Sequence, residues 1–224
     1  MKLLYKFSSR SRPAKLFACL DNIRSLAKHD DYEILCSFDL DDKSMNNSEV
    51  RDRLTLYTKV KPYWGISENK VHAINRDMEF SGAWDVLIVT ADDFWFEMEG
   101  FDLEILKAAQ EHPDCLLHFP DGHANERLIT MPIMDRAYFN RTGHIYYPGY
   151  RSVYPDNEQM AVSKILGRYR FIKTRICTHR HPANGTQYGP ADELLKKTED
   201  PVNYKIDGAL FKEREKRNFD LILS

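Results

Sequence analysis

The chain has 224 residues, 42% of them hydrophobic and 29% charged, with ten Gly and ten Pro. That composition excludes disorder, collagen and coiled coil, and the length fits one domain that buries its own core. The 32 basic and 34 acidic residues nearly cancel, without the positive field of a polymer-binding protein, so no nucleic acid polymer is expected as substrate.

The opening run MKLLY is broken by Lys6, too short for a signal h-region or a membrane span, and no later stretch approaches eighteen apolar residues. A cytoplasmic protein is expected, in which the sequons at Asn140 and Asn184 meet no glycosylation machinery. Cys19, Cys36, Cys115 and Cys177 stand far apart with no Cys-x-x-Cys, and they read as reduced, buried thiols.

Leu3 to Phe7 predicts a strand, closed by the polar SSRSRP. Pro13 opens a helix in which Leu16, Phe17, Leu20, Ile23 and Leu26 recur at helical spacing. Tyr32 to Phe38 predicts a second strand, so the first forty residues form a βαβ unit with a parallel pair. Asn46 to Leu56 reads as a polar helix and Leu56 to Val60 as a strand, followed by a turn through Lys61-Pro62 and Gly65. Ser67 is a candidate cap for a helix carrying Val71, Ile74 and Met78. Trp84 to Thr90 is nearly all apolar, the pattern of a central strand buried on both faces.

Further along, Gly100 to Ala109 predicts a helix and Cys115 to Phe119 a strand, followed by a polar loop bearing His and Asp. Leu128 to Gly143 predicts a strand, a Pro break and a short helix. Tyr146 to Tyr154 is an aromatic loop, Asp156 to Leu166 a helix, and Arg168 to Ile176 a strand with alternating basic residues. Helices near Ala191 to Lys197 and from Gly208 to Asn218 complete the chain.

Two predicted strands run into clustered acids: Asp39, Asp41 and Asp42 after the second, Asp92 and Asp93 after the central one. In open α/β sheets ligands bind beyond the carboxyl ends of the strands. Hard carboxylate oxygens there suit Mn²⁺ or Mg²⁺, with a diphosphate completing the shell. Plain solvated caps are the competing reading of either cluster alone. Phe94-Trp95-Phe96 beside the second supplies flat walls for a sugar or a base.

The first strand end at Phe7 to Arg12, the acids Asp39 to Asp42, the spacing of Gly65, Ser67, Asn69, Lys70 and Asn75, and the pair Asp92-Asp93 occur in that order. In this the chain resembles the nucleotide-sugar-dependent glycosyltransferases of the GT-A fold, family-2-like class, over residues 1 to 181. It departs from them in carrying Thr90-Ala91 where many members have another acid, and SSRSRP where many have a Pro-x-Tyr/Phe-Asn pattern. A divergent member is expected.

The resemblance implies an α/β, GT-A-like domain over 1–224 with a mostly parallel central sheet flanked by helices. It divides into a nucleotide-binding half (1–93), an acceptor-side half (94–181) and a helical tail (182–224). It further implies a UDP-sugar or similar nucleoside diphosphate donor and a saccharide or other hydroxyl acceptor. Asp39, Asp41, Lys70 and Asp92 would then meet base, ribose, phosphate or donor sugar, and Arg10 and Arg12 the phosphates. Asp93 would hold the divalent ion with His181 or His179, the former favoured by the Pro that follows it. Asp156 would be the general base of an inverting transfer, with Glu158 in reserve; Asp156 is also a candidate N-cap with Gln159 as its partner. Lys212, Arg214, Lys216 and Arg217 read as a solvated helix face with a possible reach to diphosphate. The alternatives are a sugar-1-phosphate nucleotidyltransferase, disfavoured because SSRSRP lacks glycine, and an inactive glycan- or protein-binding domain.

Overall fold

The computed structural model describes residues 1–221. Strand β1 (Leu3–Ser8) leads into helix α1 (Pro13–Leu26) and back to β2 (Tyr32–Asp39), which pairs parallel to β1 from Leu3 opposite Tyr32 to Ser8 opposite Ser37. Pro13 stands at the first turn of α1, where its missing N–H costs nothing. The helix buries Leu16, Phe17, Leu20 and Ile23. After α1 the chain is turned by the fully buried Asp102, which accepts the backbone N–H groups of Lys28 at 2.9 Å and His29 at 2.7 Å.

Helix α2 (Ser48–Leu54) follows, capped by Asn47, whose side chain accepts from the Val50 N–H. The next strand, β3, is Val60–Gly65, so Lys61-Pro62 and Gly65 lie within a strand rather than in a turn. Pro62 is tolerated because β3 is the outermost strand beside β2 and needs no donor on its open side. Helix α3 (Lys70–Asn75) is capped by Asn69, not Ser67, and is cut short when Asp77 adopts φ 68°. β4 (Val86–Thr90) is buried along its whole length, as its apolar run predicts.

The rest comprises β5 (Phe94–Phe96), α4 (Phe101–Glu111), β6 (Leu116–His118), β7 (Ile133–Asp135), α5 (Arg136–Asn140), α6 (Pro155–Ile165), β8 (Tyr169–Phe171), β9 (Cys177–His179), α7 (Glu193–Thr198) and α8 (Pro201–Lys216). Seven strands form one sheet in the order β3-β2-β1-β4-β7-β6-β8. The pairs from β3 to β4 and the β6–β8 pair are parallel; β7 runs antiparallel to both neighbours. This is the expected mostly parallel α/β architecture. The predicted strand Arg168 to Ile176 shrinks to β8. β5, which the sequence pattern did not reveal, pairs antiparallel with β9 in a separate two-stranded ribbon. The last helix begins at Pro201 rather than Gly208.

Alternation along the strands sorts the core into two layers. Leu3, Tyr5, Phe7, Val86 and Ile88 pack with α1 and α4, while Leu4, Leu87 and Val89 face α3 and the aromatic residues Trp84 and Tyr138. Each fully buried side chain of this kind contributes about 1.5–3 kcal/mol. The four cysteines are all buried and unpaired. No helix among the described residues is long and apolar enough to cross a membrane. Chain order reverses between β1 and β4, and the crevice above that switch collects the polar residues described next.

Candidate active site at the carboxyl ends of β1, β2 and β4

Asp92 and Asp93 follow β4 directly and point to different partners. Asp92 is buried; it accepts from Ser9 Oγ at 2.7 Å and from the Arg12 guanidinium at 3.1 Å. Burial, with the charge of Asp93 beside it, pushes the Asp92 carboxyl up, and Arg12 and Ser9 restrain the rise. Asp93 faces His179 of β9, with Nε2 3.4 Å from Oδ2. Its other oxygen, Oδ1, is buried and has no hydrogen-bond partner among the described residues. Burial alone would raise the Asp93 carboxyl, but His179 outweighs it and holds the group well below the ordinary carboxylate range.

His179 sits between two carboxylates, with Nδ1 3.7 Å from Asp121 Oδ2. The Phe94 ring stacks on the imidazole at 4.3 Å, fixing its plane. Burial would lower its pKa, yet Asp121 and Asp93 together lift it to about 9. Asp121 is anchored in turn by the N–H groups of His123 and Asn125 and by the Thr130 hydroxyl, at 2.8–3.0 Å. The β5–β9 ribbon makes this arrangement possible, since Phe94 lies opposite His179 in its register.

His181 turns elsewhere. Its Nε2 lies 3.2 Å from Glu199 and its Nδ1 accepts the Ala183 N–H, so His179, not the favoured His181, is the histidine that faces Asp93. The two rings are 5.3 Å apart.

The arginines expected at the phosphates are both engaged by carboxylates. Arg10 donates to Asp39 at 2.8 Å and, through both terminal nitrogens, to Asp41 at 2.7 and 2.8 Å. Arg12 bridges Asp92 to Asp192, the N-cap of α7. Asp42 shapes the same loop by accepting the Ser11 N–H at 2.6 Å. Lys70, the first residue of α3, is exposed and has no ion-pair partner among the described residues. Its charge acts on Asp93, Asp156 and Glu199.

Across the crevice Asp156 stands at the second position of α6. The N-cap is Tyr154, with φ 69° and no side-chain cap bond, so Asp156 is not the capping residue. Gln159 likewise does not close a capping box; its side chain donates to the Ile145 carbonyl at 2.7 Å. Burial raises the Asp156 carboxyl, with the Asn157 N–H and the charge of Lys70 pulling back. Glu158, the reserve base, is buried in a two-pronged pair with Arg214 at 2.8 Å and accepts the Tyr150 hydroxyl at 2.7 Å. That partnership takes Arg214 out of the solvated basic face. The aromatic loop is largely core as well: Tyr150 is fully buried and Tyr147 lies under the Arg214 guanidinium at 3.3 Å.

A cavity of about 400 Å³ opens behind the acidic pair, between α1 and the ribbon. Lys15, Cys19, Trp95, Arg180 and Tyr188 line it, and the Arg180 guanidinium lies 4.0 Å over the Trp95 ring. Residues that the sequence did not reveal are Ser9, Asp121, Asp192 and Glu199. Each meets its partner in the crevice from at least 18 residues away, a pairing that no local spacing signals.

An Asp93 oxygen with no partner, beside an imidazole nitrogen, fits a divalent cation whose remaining ligands come from phosphate and water. Among the described residues no group of three or more His, Cys, Asp or Glu side chains gathers at metal-ligand geometry.

The fold is GT-A-like, that of nucleotide-sugar glycosyltransferases. No family model and no curated protein matches the chain by sequence. Among solved structures it is similar to the mannosyltransferase PcManGT from Pyrobaculum calidifontis in complex with GDP-Man and Mn²⁺ (TM-score 0.63, 12% identity, covering 96% of this chain and 75% of that one). It is similar also to S. aureus TarS 1-349 with UDP (0.61, 11%, 80% and 60%) and with UDP-GlcNAc (0.62, 12%, 86% and 62%). The chain thus spans three quarters of the first and about three fifths of the TarS fragment.

Proposed function

We propose that this protein is a glycosyltransferase that moves a sugar from a nucleoside diphosphate donor to an acceptor hydroxyl with inversion. The observation that carries the reading is the gathering of Asp92, Asp93 and His179 above the β1/β4 switch of a GT-A-like sheet, with Lys70, which has no ion-pair partner among the described residues, near enough for its charge to act on both Asp93 and Asp156. Nucleotide would lie along the 1–93 half, with Asp39 and Asp41 toward base and ribose. A UDP-sugar is the favoured donor, and the TarS complexes with UDP and UDP-GlcNAc support that choice.

In this mechanism Asp156 takes the proton of the acceptor hydroxyl as its oxygen bonds to the anomeric carbon and the bond from that carbon to the diphosphate breaks. The diphosphate leaves with the electron pair, and Lys70 meets the charge that develops on it. A divalent ion on Asp93 and His179 would supply further positive charge to the leaving group. Asp121 holds the His179 ring in orientation. Arg10 and Arg12 would reach phosphate only by exchanging a carboxylate partner for it.

Thermal-shift titration with UDP and GDP, each with and without Mn²⁺, tests the reading, because a ligand that binds only the folded state raises its stability by mass action. Stabilisation by one diphosphate that depends on the metal, followed by donor hydrolysis or transfer, is the expected result. No shift with any nucleoside diphosphate would sink it, and binding without turnover would favour an inactive binding domain. NMR of the product glycoside checks inversion.

A further inference from the structure

Tyr154 is a bulky residue in the left-handed region, at φ 69°, immediately before the Pro155-Asp156 start of α6. Such a conformation persists only where the surroundings over-determine it. Here α8 does so with consecutive residues. Asp207, fully buried, accepts the backbone N–H of Arg151 at 3.0 Å, of Ser152 at 2.8 Å and of Val153 at 2.9 Å, covering the three residues that precede Tyr154. Gly208 lies against the Tyr154 ring so closely that a Cβ there would stand 3.2–3.3 Å from three of its atoms. Tyr204 and Phe211, on the same face of α8 by their spacing, flank the half-buried ring at 6.4 and 5.6 Å between centroids. The same turn is held from the opposite side, where the Val71 N–H of α3 donates to the Arg151 carbonyl at 3.3 Å. One turn of chain therefore ties the helix bearing Lys70 to the helix bearing Asp156.

We propose that Asp207 and Gly208 are positioning residues for Asp156, the first by fixing the 151–153 backbone and the second by admitting the Tyr154 ring that fixes the entry angle of α6. The proposal rests on the reading of Asp156 as the general base. A helix that contributes no side chain to the acidic pair thus sets the distance between the proton acceptor and the phosphate-facing lysine. Misplacement by a fraction of an ångström to one ångström is costly for a transfer step but nearly neutral for donor binding on the far side of the crevice.

The test uses the full chain with Gly208→Ala and, because an added methyl may fail to fit at all, Asp207→Asn, which keeps the volume but turns an amide N–H toward backbone donors. The transfer kcat is expected to fall roughly 10- to 100-fold in either variant while donor KM and the UDP–Mn²⁺ thermal shift stay within about twofold. A second readout does not need activity. The Asp156 carboxyl, followed by carbon-detected NMR, should titrate above the ordinary range in the wild type and move toward it in both variants. The charged groups acting on it, Lys70 and His179, and the phenols Tyr146 and Tyr204 are unchanged in both. An unmoved titration in a folded variant, or a kcat that falls only in proportion to the folded fraction, would overturn the positioning role. If the wild type binds no nucleoside diphosphate, it is the general-base reading that fails, and the NMR titration alone then decides whether α8 sets this carboxyl.

Discussion

Arg12 and Asp192 lie 180 residues apart in sequence and form a two-pronged ion pair, Nε to Oδ2 at 2.6 Å and the terminal nitrogen to Oδ1 at 2.8 Å. Two parallel N–H···O bonds to a carboxylate are also the geometry with which a guanidinium grips a phosphate. Glu199 faces His181 Nε2 at 3.2 Å near the same edge, so two carboxylates of the C-terminal stretch occupy hydrogen-bond donors beside the crevice.

Replacing Asp192 with Ala is therefore expected to tighten UDP several-fold and uridine hardly at all, since only the diphosphate can take the vacated side of Arg12. Isothermal calorimetry of both ligands decides it, and equal changes would place Arg12 outside the phosphate site. Arg12 pulls Asp192 down to about 2. Its contribution to stability is thus present above the unfolded-state value of about 3.9 and fades as pH falls toward 2. Denaturant midpoints of wild type and Asp192→Asn should differ most at pH 5, differ less at pH 3, and draw together only as pH falls to 2 and below.

Asp93→Asn should fold, because His179 keeps Asp121, but it should lose the Mn²⁺-dependent part of nucleoside diphosphate binding. The same calorimetric titration with and without metal reads this directly. Metal-dependent affinity equal to wild type would remove Asp93 from the metal site.

Asp156 and Glu158 are two residues apart on α6 and should respond in opposite ways. Asp156→Asn leaves the N-terminal geometry of the helix untouched, since Tyr154 and Pro155 make it, so Tm should hardly move while transfer falls roughly 10²- to 10⁴-fold. Glu158→Ala removes the two-pronged partner of the buried Arg214 and leaves it Asp220 at 2.8 Å and the Phe219 carbonyl, so it should cost about 3 kcal/mol, the low end for a broken buried pair, in denaturant unfolding. A stable Glu158→Ala protein with lost transfer would exchange the two roles.

Lys6 is buried in the middle of β1, donating to the Ser37 hydroxyl, which donates to Asp77 at 2.6 Å. Burial pulls its pKa down to about 7, with Asp77 opposing. Between pH 7 and 10 the unfolded chain holds a proton that the native lysine has lost, so this group makes stability rise with pH, by at most about 1.4 kcal/mol per unit. The advantage of Lys6→Met over wild type should accordingly shrink from pH 7 to pH 10 in urea titrations. A pH-independent difference would mean that Lys6 titrates normally.

Much of the N-terminal half was legible in the residues themselves. The apolar run Val86–Thr90 and the helical spacing of Leu16, Leu20 and Ile23 report burial directly, and acids at strand ends follow from them. β3 was misplaced because Pro62 signals a turn unless the strand is known to lie at the sheet edge, which is a tertiary fact. The choice between His179 and His181 was not legible either. It depends on β9 pairing with β5, which sets one ring beside Asp93 and leaves the next histidine to Glu199. Glu158 looked like a second candidate base only because its partner, Arg214, lies 56 residues away.

The long span between Arg12 and Asp192 bears on how the molecule is made. β1, α1 and β2 contact one another over short separations and can collapse while the chain is still emerging, whereas the crevice draws its histidine and its Arg12 carboxylate from beyond residue 178. Until those residues arrive, Asp93 has no cation facing it and Arg12 lacks one of its two acids. A nascent chain that stops short of residue 179 would hold the parallel strands with a rim of carboxylates and a guanidinium still short of partners. The crevice is thus completed only once residue 192 has been made, well after the βαβ unit that carries Arg12 and Asp39.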